Sequence, residues 1–283
     1  MKKLLVLSLV AAMVVTVMTG CGSASDQNTS AETEAVAEES AATGEEAASA
    51  GEESTDNTEN AADGKTFKIG VIQLVEHAAL DASNEGFVAA LNDAGISYEI
   101  DQQNAQNDQS TCQTIAEKLV NDGNDLILAI ATPAAQAVAG ATSDIPILVT
   151  AVTDPADAGL VEDNSAPGCN VSGTSDLTPV KEQIELLTKL LPEAKTVGIL
   201  YSSAESNSVL QAEMAKEACA DAGLASEVFT VSSSNEIQQV VESMVGKVDV
   251  IYTPTDNTIA AGMATVTMVA NENGLPTICG EEG

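Results

Sequence analysis

The chain has 283 residues, with 43 Asp and Glu against 10 Lys and no Arg, a formal charge of -33, no Trp, three Phe and three Tyr. Such a chain is repelled at long range by DNA, RNA and anionic headgroups, and it offers neither a basic patch nor an aromatic platform to a polynucleotide. Nucleic-acid binding is therefore excluded, while the length allows two small domains with real cores once the N-terminal segments are set aside.

Lys2 and Lys3 precede an apolar run, residues 4–17, that has the length of a signal-peptide core and is too short for a free-standing membrane span. It ends in Met18-Thr19-Gly20-Cys21, which resembles a lipobox, so residues 1–20 are expected to be a lipoprotein signal peptide and Cys21 to be acylated. Two or three acyl chains, each contributing about 0.8 kcal/mol per buried methylene, suffice for stable anchoring outside the cytoplasmic membrane. The low-complexity stretch 22–64 has twelve acidic residues, from Asp26 to Asp63, and no base, so residues 21–65 read as a disordered acidic tether that ends at Lys65. Beyond Cys21 the cysteines are Cys112, Cys169, Cys219 and Cys279, with no CxxC spacing; four cysteines allow three pairings and the sequence singles out none. With His77 the only histidine, no zinc pattern is present.

From residue 68 the chain alternates strand and helix. Residues 68–74 (KIGVIQL) read as a buried strand, 79–94 as a helix stopped by Gly95, 97–101 as a strand and 110–122 as a helix. Residues 125–131 (DLILAIA) read as a third strand, 133–139 as a short helix with proline in its first turn, and 145–152 (IPILVTAV) as a fourth strand. After the crossover at 170–176 the order restarts: helix 179–191, strand 196–201, helix 207–222, strand 227–231, helix 235–245, strand 249–253, helix 258–273 and a last strand at 275–279. Continuous apolar strands point to parallel sheets covered on both faces. The halves also match in detail, Asn92-Asp93-Ala94-Gly95 with Ala220-Asp221-Ala222-Gly223 and Thr132-Pro133 with Thr253-Pro254. The expected fold is α/β, with two Rossmann-like lobes at 66–175 and 176–283 and a ligand site between the carboxyl ends of their sheets. A doubly wound lobe that stopped after 275–279 would lack a covering helix, so about 40 to 60 further residues are expected beyond Gly283.

The loops after the strands hold the candidate chemistry. The first lobe offers Gln73, Glu76, His77, Thr132, Thr150, Thr153 and Asp154, and the crossover adds Thr174, Ser175 and Asp176. The second offers Ser202, Ser203, Glu205, Asn207 and Ser208, then Thr255, Asp256 and Asn257, and finally Glu281 and Glu282. Hydroxyls and carboxylates without Lys or Arg suit a zwitterion, its ammonium on a carboxylate such as Glu205 or Asp154 and its carboxylate on hydroxyls and helix-N-terminal amides. A multiply charged phosphate ligand is disfavoured. Each of these residues could instead simply cap a helix or form a turn. There is no G-x-S-x-G elbow, G-x-G-x-x-G or Walker sequence, so neither nucleophilic catalysis nor nucleotide use is expected, and no cofactor or metal.

Several motifs carry a resemblance when taken as a set: Gln73 with Glu76-His77-Ala78-Ala79-Leu80-Asp81, Ala131-Thr132-Pro133-Ala134-Ala135-Gln136, Thr153-Asp154-Pro155, and Asn170 to Asp176 (NVSGTSD). Tyr201 to Ser208 (YSSAESNS) and Pro254-Thr255-Asp256-Asn257 complete them. Over residues 67–283 the chain resembles the ABC-transporter substrate-binding proteins that include tryptophan- and tyrosine-binding lipoproteins, a periplasmic-binding-protein-like fold of type I. Ala78 departs from the proline many relatives carry there. The resemblance implies that Gln73, Thr132, Asp154, Ser175, Glu205, Asn207, Ser208, Asp256 and Asn257 line an interlobe cleft. It further implies a monomeric, non-enzymatic receptor for an amino acid, aromatic like the ligands of those relatives, that serves an ABC permease and its ATPase. Tyr201 and Tyr252 alone among the rings fall near the cleft ends of strands, so a branched-chain or small polar amino acid stays open, as do a sugar, a nucleoside and a purely sensory binding module.

Overall fold

The computed structural model describes residues 64–281; the expected signal peptide, Cys21 and nearly all of the acidic tether lie outside the described residues. The first lobe is built from β1 (Phe67–Gln73), α1 (Ala78–Asp93), β2 (Tyr98–Asn104), α2 (Gln109–Asn121), β3 (Leu126–Ile130), α3 (Thr132–Ala141), β4 (Ile147–Val152) and β5 (Val171–Ser175). The second comprises α4 (Val180–Leu190), β6 (Thr196–Ser202), α5 (Ser206–Asp221), β7 (Ala225–Val231), α6 (Ile237–Met244), β8 (Val250–Thr253), α7 (Asn257–Ala261), α8 (Met263–Glu272) and β9 (Thr277–Cys279). The sheets run β2-β1-β3-β4-β5 and β7-β6-β8-β9, with every pairing parallel. The first four strands of each lobe thus follow the same spatial order, and the carboxyl ends of such sheets are where a ligand is received.

The apolar runs become the core as expected. Val71, Ile72, Ile127 and Ile130 are fully buried in one cluster under the first sheet. The second sheet carries one cluster on each face, Ile184, Leu187, Ala212 and Ala215 of α4 and α5 on one side, and Ile237, Val241, Val266 and Val269 of α6 and α8 on the other.

Three details depart from the sequence reading. Residues 171–175, read as a crossover, form a fifth strand beside β4. Its polar Val-Ser-Gly-Thr-Ser has no apolar run, and it pairs only because Gly173 lets its backbone lie against Val149, whose carbonyl oxygen would stand 2.0 Å from an added Cβ. The pairing is irregular between Val149 and Val152, where Ala151 takes φ +53°. The helix expected at 258–273 is broken at Gly262, a position where α6 passes so close that a Cβ would meet Ile237 Cδ1 at 2.2 Å. The helix expected from 235 begins as a single 3-10 turn, Ser234–Glu236, before α6 proper. Among the described residues no helix is long and apolar enough to cross a membrane.

Candidate functional site

A cavity of about 270 Å³ lies between the carboxyl ends of the two sheets. Ala79, Leu80 and Ser83 of α1 form one wall, with the β4 end (Thr150, Ala151, Thr153) beside it. Thr174, Asp176 and Thr178 enter from β5 and the segment after it, while Asn207, Thr255, Asn257 and Glu281 close it from the second lobe. The volume equals roughly nine waters at about 30 Å³ each, the size class of one amino acid rather than a peptide.

Direct bonds hold the lobes together around it. Asn107 Nδ2 donates to Thr258 Oγ1 at 2.9 Å, Gln109 Nε2 to the Ala204 carbonyl at 2.7 Å and Gln136 Nε2 to Ser206 Oγ at 3.3 Å. His77 Nε2 stands 3.3 Å from Asn257 Oδ1, and Gln211 Nε2 reaches Thr153 Oγ1 at 3.4 Å. Gln211 also ties α5 to the loop after β8, donating to the Thr255 carbonyl at 3.0 Å while its Oε1 accepts from the Thr255 N–H at 3.3 Å.

The polar accounting is unusual at this one place. Among the described residues, four buried side-chain atoms have no hydrogen-bond partner in the protein: Asp176 Oδ1, Thr178 Oγ1, Asn207 Oδ1 and Thr255 Oγ1. All four residues line the cavity. Folded proteins rarely leave such groups unpaired, since each costs about 1–3 kcal/mol, so their convergence marks a polar cavity whose partners come from water or from a polar ligand. The charge is as one-sided as the hydrogen bonding, with two carboxyls, Asp176 and Glu281, and no cationic side chain in the lining. Burial raises the Asp176 carboxyl above its ordinary range, with the Thr153 hydroxyl partly offsetting it. Burial, and then the charge of Asp176, push Glu281 up to about 7. At the opposite wall Ala79 and Leu80 belong to the first turn of α1, whose amides have no intrahelical acceptor.

Of the residues expected in the cleft, Asn207 and Asn257 line the cavity. Glu205 lies behind Asn257: its Oε2 accepts from the Asn257 side-chain amide at 2.6 Å, and its Oε1 from the Thr258 N–H and hydroxyl at 2.9 and 2.7 Å. Asp256 accepts from the N–H groups of Ser202 (2.6 Å) and Ile259 (2.8 Å), capping α7 and tying it to β6. Burial and the neighbouring Glu205 charge raise its carboxyl to about 7. Ser208 is fully buried in the first turn of α5. Asp154 spends Oδ1 on the N–H groups of Ala156 and Asp157 and on Asn164 Nδ2, and Asn164 first of all holds its pKa down. Ser175 donates to the Thr153 carbonyl at 2.6 Å, and Thr132 is buried at the head of α3. Gln73 bonds Asp81 at 2.6 Å on the far side of α1. Tyr252 is buried with its hydroxyl on Gln183 Oε1 at 2.6 Å and Tyr201 packs against that core, so neither ring lines the cavity. Ser83, Thr178 and Gln211 were not anticipated; the signal for Gln211 was the polar stripe Asn207, Ser208, Gln211 on a helix face that is otherwise buried.

A two-lobed parallel α/β fold with a polar, carboxylate-lined cavity at the interlobe strand ends is the architecture of a solute receptor. Residues 68–283 match the family of ABC transporter substrate binding proteins, and the chain belongs to that family. Its members bind and deliver a substrate without transforming it, and this chain is accordingly the substrate-binding component of an ABC import system. The chain is 42% identical over 287 residues to a tyrosine-binding protein of Clostridioides difficile (strain R20291), with 100% of this chain and 76% of that protein covered. Among solved structures it resembles an ABC domain from Streptococcus pneumoniae in complex with L-Trp (44% identity, 76% of this chain, 74% of the other, TM-score 0.74). It also resembles the ligand-free, open structure of a substrate binding protein with adhesive properties from Clostridium difficile (49% identity, 77% and 75% covered, TM-score 0.55). Despite its lower identity the L-Trp complex is the better geometric match, in keeping with the direct bonds that join the lobes here.

Proposed function

We propose that this chain is an extracellular, lipid-anchored receptor that captures a free L-amino acid with an aromatic side chain and hands it to a membrane permease driven by an ATPase. The observation that carries the reading is the set of four unpartnered buried atoms around a cavity with two carboxyls and no cation. The ammonium sits against Asp176, with Asn207, Thr178 and Thr255 completing its hydrogen bonds or those of the neighbouring atoms. The carboxylate lies toward the first-turn amides of α1. The side chain lies over Ala79, Leu80 and Ala151, where small residues leave room. The names of the tyrosine-binding relative and of the L-Trp complex support an aromatic ligand. In this reading residues 1–20 are removed, Cys21 carries the lipid, residues 21–65 form the tether, and the lobes at 66–175 and 176–283 act as a monomer. The lack of a lining ring favours a second reading, a branched-chain or small polar amino acid.

The test is a calorimetric screen of the purified protein against the twenty amino acids, several sugars and nucleosides. Micromolar or tighter binding of tyrosine, tryptophan or phenylalanine is the expected result, with no heat from the corresponding arylpropionates that lack the amine. Tight sugar or nucleoside binding with no amino-acid heat would overturn the reading.

A further inference from the structure

The proposed ligand brings one ammonium, whereas the cavity brings two carboxyls, and this mismatch has a physical resolution. Asp176 follows β5 and Glu281 follows β9, the edge strands of the two sheets, so the two acids face one cavity of about 270 Å³ from the two sheets. Glu281 is held in place from several sides: the Asp256 N–H bonds its carboxyl, the Gly280 N–H donates to the Thr253 carbonyl at 2.7 Å, and Gln183 Nε2 bonds the Gly280 carbonyl at 3.0 Å. The surroundings add negative charge. Glu205 and Asp256 are buried behind Asn257, and from the first lobe come Asp81, engaged by Gln73, and Asp154, engaged in its own turn; the Cys279 thiol at the end of β9 is kept neutral by burial. His77, at the head of α1, bonds Asn257 rather than either acid, and no Lys lines the cavity. Two ionised carboxylates in one confined space without a cation are unfavourable, and the electroneutral way out is to keep a proton.

Resting on the amino-acid reading, we propose that capture is an exchange of cations: without ligand, the Asp176 and Glu281 carboxyls hold a proton between them, and the ligand's ammonium displaces it to solvent. The balance is simple. One carboxyl O–H bond is lost, the proton goes to water or buffer, and the carboxylate left behind pairs with the incoming ammonium. The burial that raises both carboxyls makes this exchange fall near neutral pH. The receptor therefore binds best at neutral to alkaline pH and loosens its hold in acid, a property set by Glu281 rather than by histidine.

Titration calorimetry of the protein with tyrosine, in phosphate and in Tris at pH 6.5, reads the exchange directly. Binding heats should differ with buffer ionisation enthalpy by an amount that approaches one proton released, and affinity should fall by up to about tenfold per unit as pH drops below about 7. Glu281→Gln should be locked at the weaker, low-pH affinity and lose the buffer dependence. Buffer-independent heats with a flat profile from pH 5 to 8, in a protein that does bind an amino acid, would overturn the exchange and leave the amino-acid reading intact. Should no amino acid bind, the amino-acid reading fails, and carbon-13 titration of side-chain carboxyls in the ligand-free protein still decides the proton. A resonance with a midpoint near neutrality that vanishes in Glu281→Gln supports it, and midpoints confined to the ordinary carboxylate range sink it.

Discussion

At the amino ends of their strands the two lobes use the same residues in the same way. Asp125, entering β3, accepts from the Lys68 N–H at 2.9 Å, and Asp249, entering β8, accepts from the Lys195 and Thr196 N–H groups at 2.8 and 2.9 Å. Gly95 and Gly223 end α1 and α5 with φ +64° and +75°, and the following residue in each case bonds back to the last turn, Ile96 to the Leu91 carbonyl at 3.1 Å and Leu224 to the Cys219 carbonyl at 2.8 Å. Gly70 and Gly198, near the middle of β1 and β6, both admit a helix side chain. At the carboxyl ends the likeness stops. The first lobe presents chiefly hydroxyls, Thr150, Thr153 and Thr174, with Asp176 at its edge, whereas the second gathers Glu205, Asp256 and Glu281. A scaffold can be duplicated because each lobe solves the same packing problem; a site that grips two unlike ends of one molecule has to be asymmetric.

The largest expected effect breaks that asymmetry. Asp176→Asn removes the acid that has no protein partner at Oδ1, and the loss of a buried charge pair with the ligand should cost about 2–5 kcal/mol, roughly thirtyfold or more in Kd. The fold should not suffer, because the carboxyl is already disfavoured by burial. Calorimetry alongside thermal melting checks both halves, and a variant that binds normally would remove Asp176 from the site. Next, Glu205→Ala strips the partners from Asn257 and Thr258 at the head of α7, in a residue 2% exposed, and should destabilise the protein by about 2–4 kcal/mol in urea unfolding. Its effect on affinity should be indirect, through the displaced Asn257, so that Asn257→Ala in the Glu205→Ala background adds little.

The strand–helix order, the parallel sheets and the helix stops were legible because they follow from residue type and spacing alone: continuous Val/Ile/Leu runs, Gly at a positive-φ end, Pro in a first turn. β5 was not, since its pairing depends on Gly173 passing Val149, a contact between distant residues with no local trace. The need for glycine at 262, where the last helix is interrupted, likewise comes from a distant residue, Ile237. In the site the loops were legible and the directions of their side chains were not. Asp154 and Asp176 both follow strand ends, yet one turns into its own loop and the other faces the cavity, and Glu205 and Asn207, two residues apart at the head of α5, lie behind and beside it. Capping and ligand binding draw on the same residue types, so sequence could name the set without dividing it.

A smaller effect tests the matched half of the comparison. A Cβ at Gly70 would lie 3.0 Å from Leu119 Cδ2 on α2, and one at Gly198 would lie 2.5 Å from Met244 Cε on α6. Alanine at either position should cost about 1–3 kcal/mol by overpacking. The Gly198 clash meets the free end of a flexible methionine, so Met244→Leu should recover part of that loss, whereas the Leu119 and Asn124 neighbours of Gly70 leave less room to adjust. Equal losses with no rescue would argue that the two lobes are packed more alike than these distances imply.

The smallest effect, a shift of thermal midpoint with pH in the ligand-free protein, sets the two ends of the strands against each other. Asp125 is held below its ordinary 3.8 chiefly by Lys65 and then by the Lys68 N–H, and Asp249 chiefly by the Lys195 N–H. Carboxyls lowered by folding contribute stability that is fully present above their unfolded pKa and lost as pH falls through the folded one, so this end of the molecule weakens only below about 4. Asp256 and Glu281 are raised to about 7 from 3.8 and 4.5, the first by burial and Glu205, the second by burial and Asp176. Between those values the folded protein binds protons that the unfolded chain does not, so stability climbs as pH falls from above 7 toward about 4.5. The two windows scarcely overlap, and the thermal midpoint should therefore peak near pH 5, on the acid side of the pH at which the ligand is held best. Melting curves from pH 3 to 9 check this. Glu281→Gln should make the neutral limb shallower, leaving the share that Asp256 supplies, and leave the acid limb unchanged, while a midpoint that rises steadily from pH 5 to 8 would show that the cleft carboxyls are ionised without strain and that the two ends of the lobes differ less than their geometry indicates.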